Sequence, residues 1–179
     1  LGSLVAPETE FEYDAAGNLT KQIDPLDNET VWTFDNLFRV TKVTLPDPDG
    51  AGSQTSPELE YEYNAGSLLT KSIDPMDNET SFTYDNLGQL TKQTDPDPDG
   101  GGAQAAPETE YQYDLAGNLT KVIDPLDEET DYTYDNLYRQ TKVELPDPDG
   151  VGSLGRPTTT FEYNAVGAIT KLTDPVSND

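Results

Sequence analysis

The chain contains no cysteine and no histidine. That excludes a disulfide framework, a zinc site built on thiolate or imidazole, and nucleophilic catalysis through a thiolate or an imidazole base. Basic residues are scarce: ten Lys and Arg face thirty-five Asp and Glu, a formal net charge of −25 over 179 residues. A polyanion would be repelled, so nucleic acid and anionic membrane surfaces are excluded as partners. Apolar residues are scarce too, at 33%, where ordinary globular chains run at roughly 45–50% with glycine included. A deep core is therefore not expected. No apolar run approaches the roughly 20 residues of a bilayer span, so membrane insertion is not expected, and no signal peptide is recognisable.

What the chain does have is repetition. Residues 1–50, 51–100 and 101–150 are three units of 50 residues, and 151–179 is a partial fourth. Thr9 opens Thr-Glu-Phe-Glu-Tyr-Asp-Ala-Ala-Gly-Asn-Leu-Thr-Lys, and closely similar runs open at Leu59, Thr109 and Thr160. Leu1-Gly2-Ser3 aligns with Ala51-Gly52-Ser53, so the sequence begins mid-repeat and reads as a piece of a longer protein. Such periodicity predicts an array in which each unit packs on its neighbours. Low hydrophobicity with high charge also describes disordered chains, but aromatic positions this regular argue for a sheet.

A shorter period lies inside the longer one. Anchor aromatics at Tyr13, Phe34, Tyr63, Tyr84, Tyr113, Tyr134 and Tyr163 are spaced alternately by 21 and 29 residues. Each unit is thus a doublet of one module, and the longer spacing holds a Pro-Asp-Pro-Asp-Gly stretch starting at Pro46, Pro96 and Pro146. Alternating side chains, β-branched enrichment and turns about every ten residues predict an all-β, antiparallel meander with a solenoid-like repeat and four strands per unit. In the first unit the predicted strands are Thr9–Tyr13, Asn18–Ile23, Thr30–Phe34 and Val40–Leu45, separated by turns at 14–17, 24–28 and 35–37. No helical period is present.

The phrases Tyr113-Asp114-Leu115-Ala116-Gly117-Asn118-Leu119-Thr120 and Tyr134-Asp135-Asn136-Leu137-Tyr138-Arg139 resemble the YD repeat, the tyrosine-aspartate module of Rhs proteins, teneurins and related large secreted bacterial proteins. The resemblance covers nearly the whole chain. It implies long β-sheets that spiral, often into a hollow shell.

Fourteen of the sixteen aromatics form aromatic-x-aromatic pairs: Phe11/Tyr13, Trp32/Phe34, Tyr61/Tyr63, Phe82/Tyr84, Tyr111/Tyr113, Tyr132/Tyr134 and Phe161/Tyr163. Two residues apart on a strand means one face, so these predict a structural ladder buried between modules. The alternative is a row of sugar-stacking platforms. All seven lysines follow a threonine, as mid-strand cations suited to cross-strand pairing with Glu or Asp.

Asp95-Pro96-Asp97-Pro98-Asp99-Gly100 matches the start of a calcium loop, with Asp95, Asp97 and Asp99 as candidate ligands. Asp47/Asp49 and Asp147/Asp149 are shorter copies, because Leu45 and Leu145 replace the first aspartate. No other cofactor is suggested. Asn18, Asn28, Asn78 and Asn118 head Asn-x-Thr glycosylation sequons. Carboxylates repeated equivalently in every unit argue against one tuned catalytic pair. The reading is a non-catalytic structural segment of a large extracellular or cell-surface bacterial protein, building a fibre, stalk or adhesive scaffold. The alternatives are part of a YD-repeat shell around a toxin or cargo, and a carbohydrate-binding surface. The expected partners are further copies of its own repeats, glycans or other surface proteins.

Overall fold

In a computed structural model the described residues are 6–50, 52–150, 152 and 154–175. Ala51 and Val151, which open two of the repeat units, lie outside them, as do 1–5, Ser153 and 176–179. The fold is all-β. The first repeat supplies β1(Glu10–Tyr13), β2(Leu19–Ile23), β3(Glu29–Phe34) and β4(Val40–Thr44). The second supplies β5(Glu58–Tyr63), β6(Leu69–Ile73), β7(Glu79–Tyr84) and β8(Leu90–Thr94). The third supplies β9(Glu108–Tyr113), β10(Leu119–Ile123), β11(Glu129–Tyr134) and β12(Gln140–Glu144), and the partial fourth β13(Thr158–Tyr163) and β14(Ile169–Thr173). Consecutive strands are hydrogen-bonded neighbours in chain order, so that each part of the chain meanders. First-repeat bounds fall within one residue of those predicted, because the alternation and the turn residues agree.

The chain divides into two compact units, Leu1–Ser81 and Phe82–Asp179, a division that falls inside β7 rather than at a sequence repeat. In the first unit, Lys42 pairs with Glu60, Val43 with Leu59 and Thr44 with Glu58 across β4 and β5. Trp32 pairs with Val43 across β3 and β4, and Tyr61 with Ser72 across β5 and β6. Because directly opposed residues share a face, one face carries Phe11, Trp32, Phe34, Val43, Leu59 and Tyr61. The other face carries Glu12, Lys21, Lys42, Glu58, Glu60 and Lys71. The second unit repeats this: Tyr132 opposes Val143 and Phe161 opposes Leu172 on one face, while Thr133 opposes Lys142 on the other.

The expected burial of the aromatic ladder between modules is not what the structure has. Among the described residues none is buried; most of the ladder is half-buried, and Phe11 and Tyr13 on β1 are exposed. Within each unit the sheet is a single layer, so a ring gains cover only from its neighbours on the same face. The low apolar content is what such a layer requires.

A bulge recurs beside the hairpin turns. The register runs Glu12 to Lys21 and then Tyr13 to Leu19, which leaves Thr20 as the extra residue. Its hydroxyl donates to the Glu12 carbonyl at 3.2 Å, and Thr41, Thr120, Thr141 and Thr170 donate likewise to Thr33, Gln112, Thr133 and Glu162. A bulge leaves a backbone group short of its ladder partner, and the threonine satisfies it.

Candidate functional site

The chemistry of the molecule is concentrated in its turns, which lie in two rows at the two ends of the strands. In the first unit one row holds the turns at 14–18, 35–39 and 64–68. The second unit has the corresponding turns at 85–89, 114–118, 135–139 and 164–168. All follow one plan. Asp14 N donates to Asn18 O at 3.0 Å and Gly17 N to Asp14 O at 3.1 Å, while Gly17 is left-handed at φ 92°. That is a three-residue hairpin loop ending in a left-handed residue, a connection whose twist suits antiparallel strands. The aspartate then locks its own turn. Asp14 Oδ1 accepts from Ala16 N and Asn18 N at 2.9 Å each, and Oδ2 accepts from the Asn18 amide at 2.8 Å.

The Asp-Pro turns at the opposite ends of the strands use the same lock. Asp24 Oδ1 accepts from Leu26 N and Asn28 N, and Oδ2 from the Asn28 side chain at 2.8 Å. Here Asp27, at φ 63°, takes the left-handed place. Proline suits the position after the first aspartate because its fixed φ is that of the turn's first corner. These bonds favour the charged carboxylate. The Asn18, Asn28, Asn78 and Asn118 side-chain amides hold Asp14, Asp24, Asp74 and Asp114 below the usual carboxylate range.

This geometry gives the four sequon asparagines a structural task. Each donates its side-chain amide to the turn aspartate, at 2.8 Å for Asn18, Asn28 and Asn78 and 2.9 Å for Asn118. A glycan on that nitrogen would compete with the lock.

Arginine replaces asparagine in two turns and ties neighbouring turns together. Arg39 Nε and Nη2 bind Asp35 Oδ2 at 2.7 and 2.6 Å, and Nη1 donates to the Asn64 carbonyl at 3.0 Å. Its guanidinium lies 4.7 Å from the centre of the Tyr63 ring. Arg139 repeats the arrangement with Asp135, the Asn164 carbonyl and the Tyr163 ring at 4.6 Å. The anchor tyrosines reach back over the preceding strand: Tyr63, Tyr134 and Tyr163 donate their hydroxyls to the carbonyls of Val40, Leu119 and Gln140 at 2.9, 2.9 and 2.6 Å. The Asp-to-(i+4) lock and the tyrosine tether were missed from sequence. Their signal is there in the repeated spacing of Asp14/Asn18, Asp24/Asn28 and Asp35/Arg39.

Every lysine sits beside a carboxylate. The pairs include Lys21 with Glu29 at 2.6 Å, Lys42 with Glu58 at 2.5 Å, Lys71 with Glu79 at 3.1 Å and Lys92 with Glu108 at 2.6 Å. In the second unit Lys121 pairs with Glu129, Lys142 with Glu144 and Lys171 with Glu162. Glu29 and its counterparts raise the ammonium pKa values of Lys21, Lys42, Lys71, Lys92 and Lys121.

The candidate calcium ligands do not converge. Asp97 accepts from the backbone of Asp99 and Gly101, and Asp99 from Gly102 and Gln104. Asp95 accepts from the Gln93 side chain at 2.6 Å. Asp47 and Asp147 accept from Asp49 N and Asp149 N, and Asp49 from Ser53 N. Among the described residues no group of three or more acidic side chains is placed to hold a metal ion. Prolines within the loop cannot donate, so its carboxylates cap the remaining amides. On the aromatic face, Tyr132, Tyr134 and Tyr138 line a shallow hollow with Asp114 and Asn118. The Asp114 and Asn118 polar groups there are engaged within their turn, and the Tyr134 hydroxyl is donated to the Leu119 carbonyl of β10.

The sequence matches the RHS repeat family over residues 13–51, 63–100 and 113–150. The chain belongs to that family. No curated protein matches its sequence. Among solved structures, it is similar to TcdB2-TccC3 without the hypervariable C-terminal region, with a TM-score of 0.73, 20% identity and 95% of this chain covered. A Photorhabdus luminescens Tc holotoxin pore is similar at a TM-score of 0.68 and 22% identity over 92% of this chain. The likeness is one of fold, and the chain spans only 9% of the TcdB2-TccC3 chain.

Proposed function

We propose that these repeats are one stretch of the wall of a closed YD-repeat shell around a protein cargo, in a secreted or cell-surface bacterial protein. The observation that carries this reading is the likeness in fold, over 95% of the chain, to a TcdB2-TccC3 chain of which it spans 9%. A single-layer sheet of near-identical hairpins supports it further, because such a sheet extends by adding hairpins without changing its thickness. The role is mechanical and non-catalytic: the turn aspartates and the carboxylates beside the lysines recur from repeat to repeat, and they are occupied in holding a turn or a lysine. The fibre or adhesive stalk draws on the repetition alone and has no comparable support.

The test is electron microscopy of the full-length protein, with limited proteolysis alongside. Closed particles of uniform size, in which a segment outside the repeats resists protease until the particle is opened, are expected. Threads of constant width would overturn the shell reading in favour of the fibre.

A further inference from the structure

Two aromatic residues occupy places where the backbone favours glycine. Phe38 and Tyr138 are the left-handed residues of their turns, both at φ 60°. Gly17, Gly88, Gly117 and Gly167 hold that place in other turns. For a bulky side chain a left-handed conformation is a true outlier, and strained backbone that persists points to a function served by the side chain. Neither ring gains compensating burial, since Phe38 is 61% and Tyr138 65% exposed. Each is preceded by another exposed apolar residue, Leu37 or Leu137.

The Asp-Pro turns present exposed apolar tips of their own: Leu26 at 81%, Met76 at 77% and Leu126 at 78%. Spacing matches as well. Leu26 and Met76 are four strands apart in the first unit, and Leu87 and Leu137 four strands apart in the second. At about 4.8 Å per strand, the turns of both rows repeat every ~19 Å, with Gly88 in the place that Phe38 and Tyr138 take in their own turns. Charge separates the aromatic tips from the Asp-Pro tips. Arg39 and Arg139 neutralise Asp35 and Asp135 at 2.6 Å, so the aromatic tips carry no net charge. The Asp-Pro turns carry at least two acids apiece, Asp24 and Asp27 in the first and Asp124, Asp127 and Glu128 in the third, with no basic residue inside the turn. Two Asp-Pro rows would repel, whereas an uncharged aromatic tip can cover an apolar Asp-Pro tip without bringing like charges together.

We infer that the Phe38 and Tyr138 turns are docking knobs that seat on the Asp-Pro turns of a second copy of this chain, in a head-to-tail contact between unlike rows. The inference rests on the turns alone and stands apart from the shell reading. Aromatic side chains presented this way are the residues that dominate protein interfaces.

Sedimentation velocity over a concentration series up to about 1 mM, where weak contacts become populated, is the test. The unaltered chain is expected to associate as concentration rises. The double variant Phe38→Gly/Tyr138→Gly is expected to remain monomeric, with an unfolding midpoint no lower than that of the parent because the strain is removed. The triple variant Leu26→Ser/Met76→Ser/Leu126→Ser is also expected to be monomeric. An equimolar mixture of the two variants should form a complex, since each retains the row the other has lost. The proposal is overturned if the parent is monomeric throughout, if the glycine variant still associates, or if its midpoint falls. Self-association of the triple variant, or no complex in the mixture, would equally overturn the pairing of unlike rows.

Discussion

Each turn depends on one side chain, the aspartate that accepts from amides two and four residues on. Asn64 and Asn164 stand in that place and accept from Gly66 and Leu68, and from Val166 and Ala168, in the same pattern. A carboxamide oxygen therefore suffices for the backbone part of the lock. Asp114→Asn is expected to lower the unfolding midpoint only slightly at pH 7, through loss of the carboxylate oxygen that accepts from the Asn118 amide, and Asp114→Ala to lower it clearly, in matched thermal scans. Acid should discriminate further. The Asp14, Asp24, Asp35, Asp74, Asp114 and Asp135 carboxyls are held below their ordinary value of 3.8, first by the Asn or Arg four residues on. A depressed folded-state pKa contributes stability that is present above the unfolded value and is lost as pH falls through the folded one. The locks should thus weaken only below about pH 4, and Asp114→Asn should flatten that limb; a midpoint unchanged down to pH 2 would refute it. At this scale the sequence was half legible. Turn positions follow from Gly, Pro and Asp, but the sequons hid the lock, since an Asn-x-Thr motif reads as a glycan acceptor before it reads as a hydrogen-bond donor.

Between hairpins, the aromatic face holds the sheet together without burying anything completely. Removing a fully buried aromatic costs about 3–5 kcal/mol, so for the half-buried Tyr113 we expect Tyr113→Ala to cost about 2 kcal/mol in denaturant unfolding. A loss as large as that of a full core ring would show that another layer covers this face in solution. Tyr134→Phe removes only the hydroxyl donated to Leu119 and should cost about 1 kcal/mol. Arg139 over Tyr163 is testable separately: a double-mutant cycle of Arg139→Gln with Tyr163→Leu should give a coupling of about 0.5–1 kcal/mol. Zero coupling would mean that the guanidinium and ring are merely adjacent. Strand positions were readable to a residue because every strand alternates and every turn is marked. Burial was not readable, because an aromatic-x-aromatic pair looks the same whether its face meets a second layer or not. Thr-Lys is likewise one feature in the sequence, whereas the threonine serves the bulge and the lysine serves a carboxylate, across the strand pair in every case but Lys142 with Glu144.

For the whole molecule the dominant quantity is a charge of −25. The lysines are already paired, so the remaining acids repel one another and salt should relieve this within a screening length of about 8–10 Å. Raising sodium chloride is expected to raise the unfolding midpoint. Calcium at matched ionic strength should do no more, because the Asp95, Asp97 and Asp99 carboxylates are taken up by their own loop. A calcium increment beyond the ionic-strength effect, abolished in Asp97→Asn, would show that the loop rearranges around an ion. The bulged three-residue turn has a further consequence, for how such a chain is made and remade. Within each repeat the hairpins close over three residues, whereas the connection from β4 to β5 and its counterparts run through the longer acidic loop. The short hairpins have local contacts and can form as soon as they leave the ribosome, before the next one exists. Each 50-residue unit also contains an even number of strands, so removing residues 101–150 or duplicating them returns the chain running in the same direction with the same face forward. Length can therefore change by recombination in steps of one unit with no repair at the junction, whereas a step of one strand would reverse every row that follows.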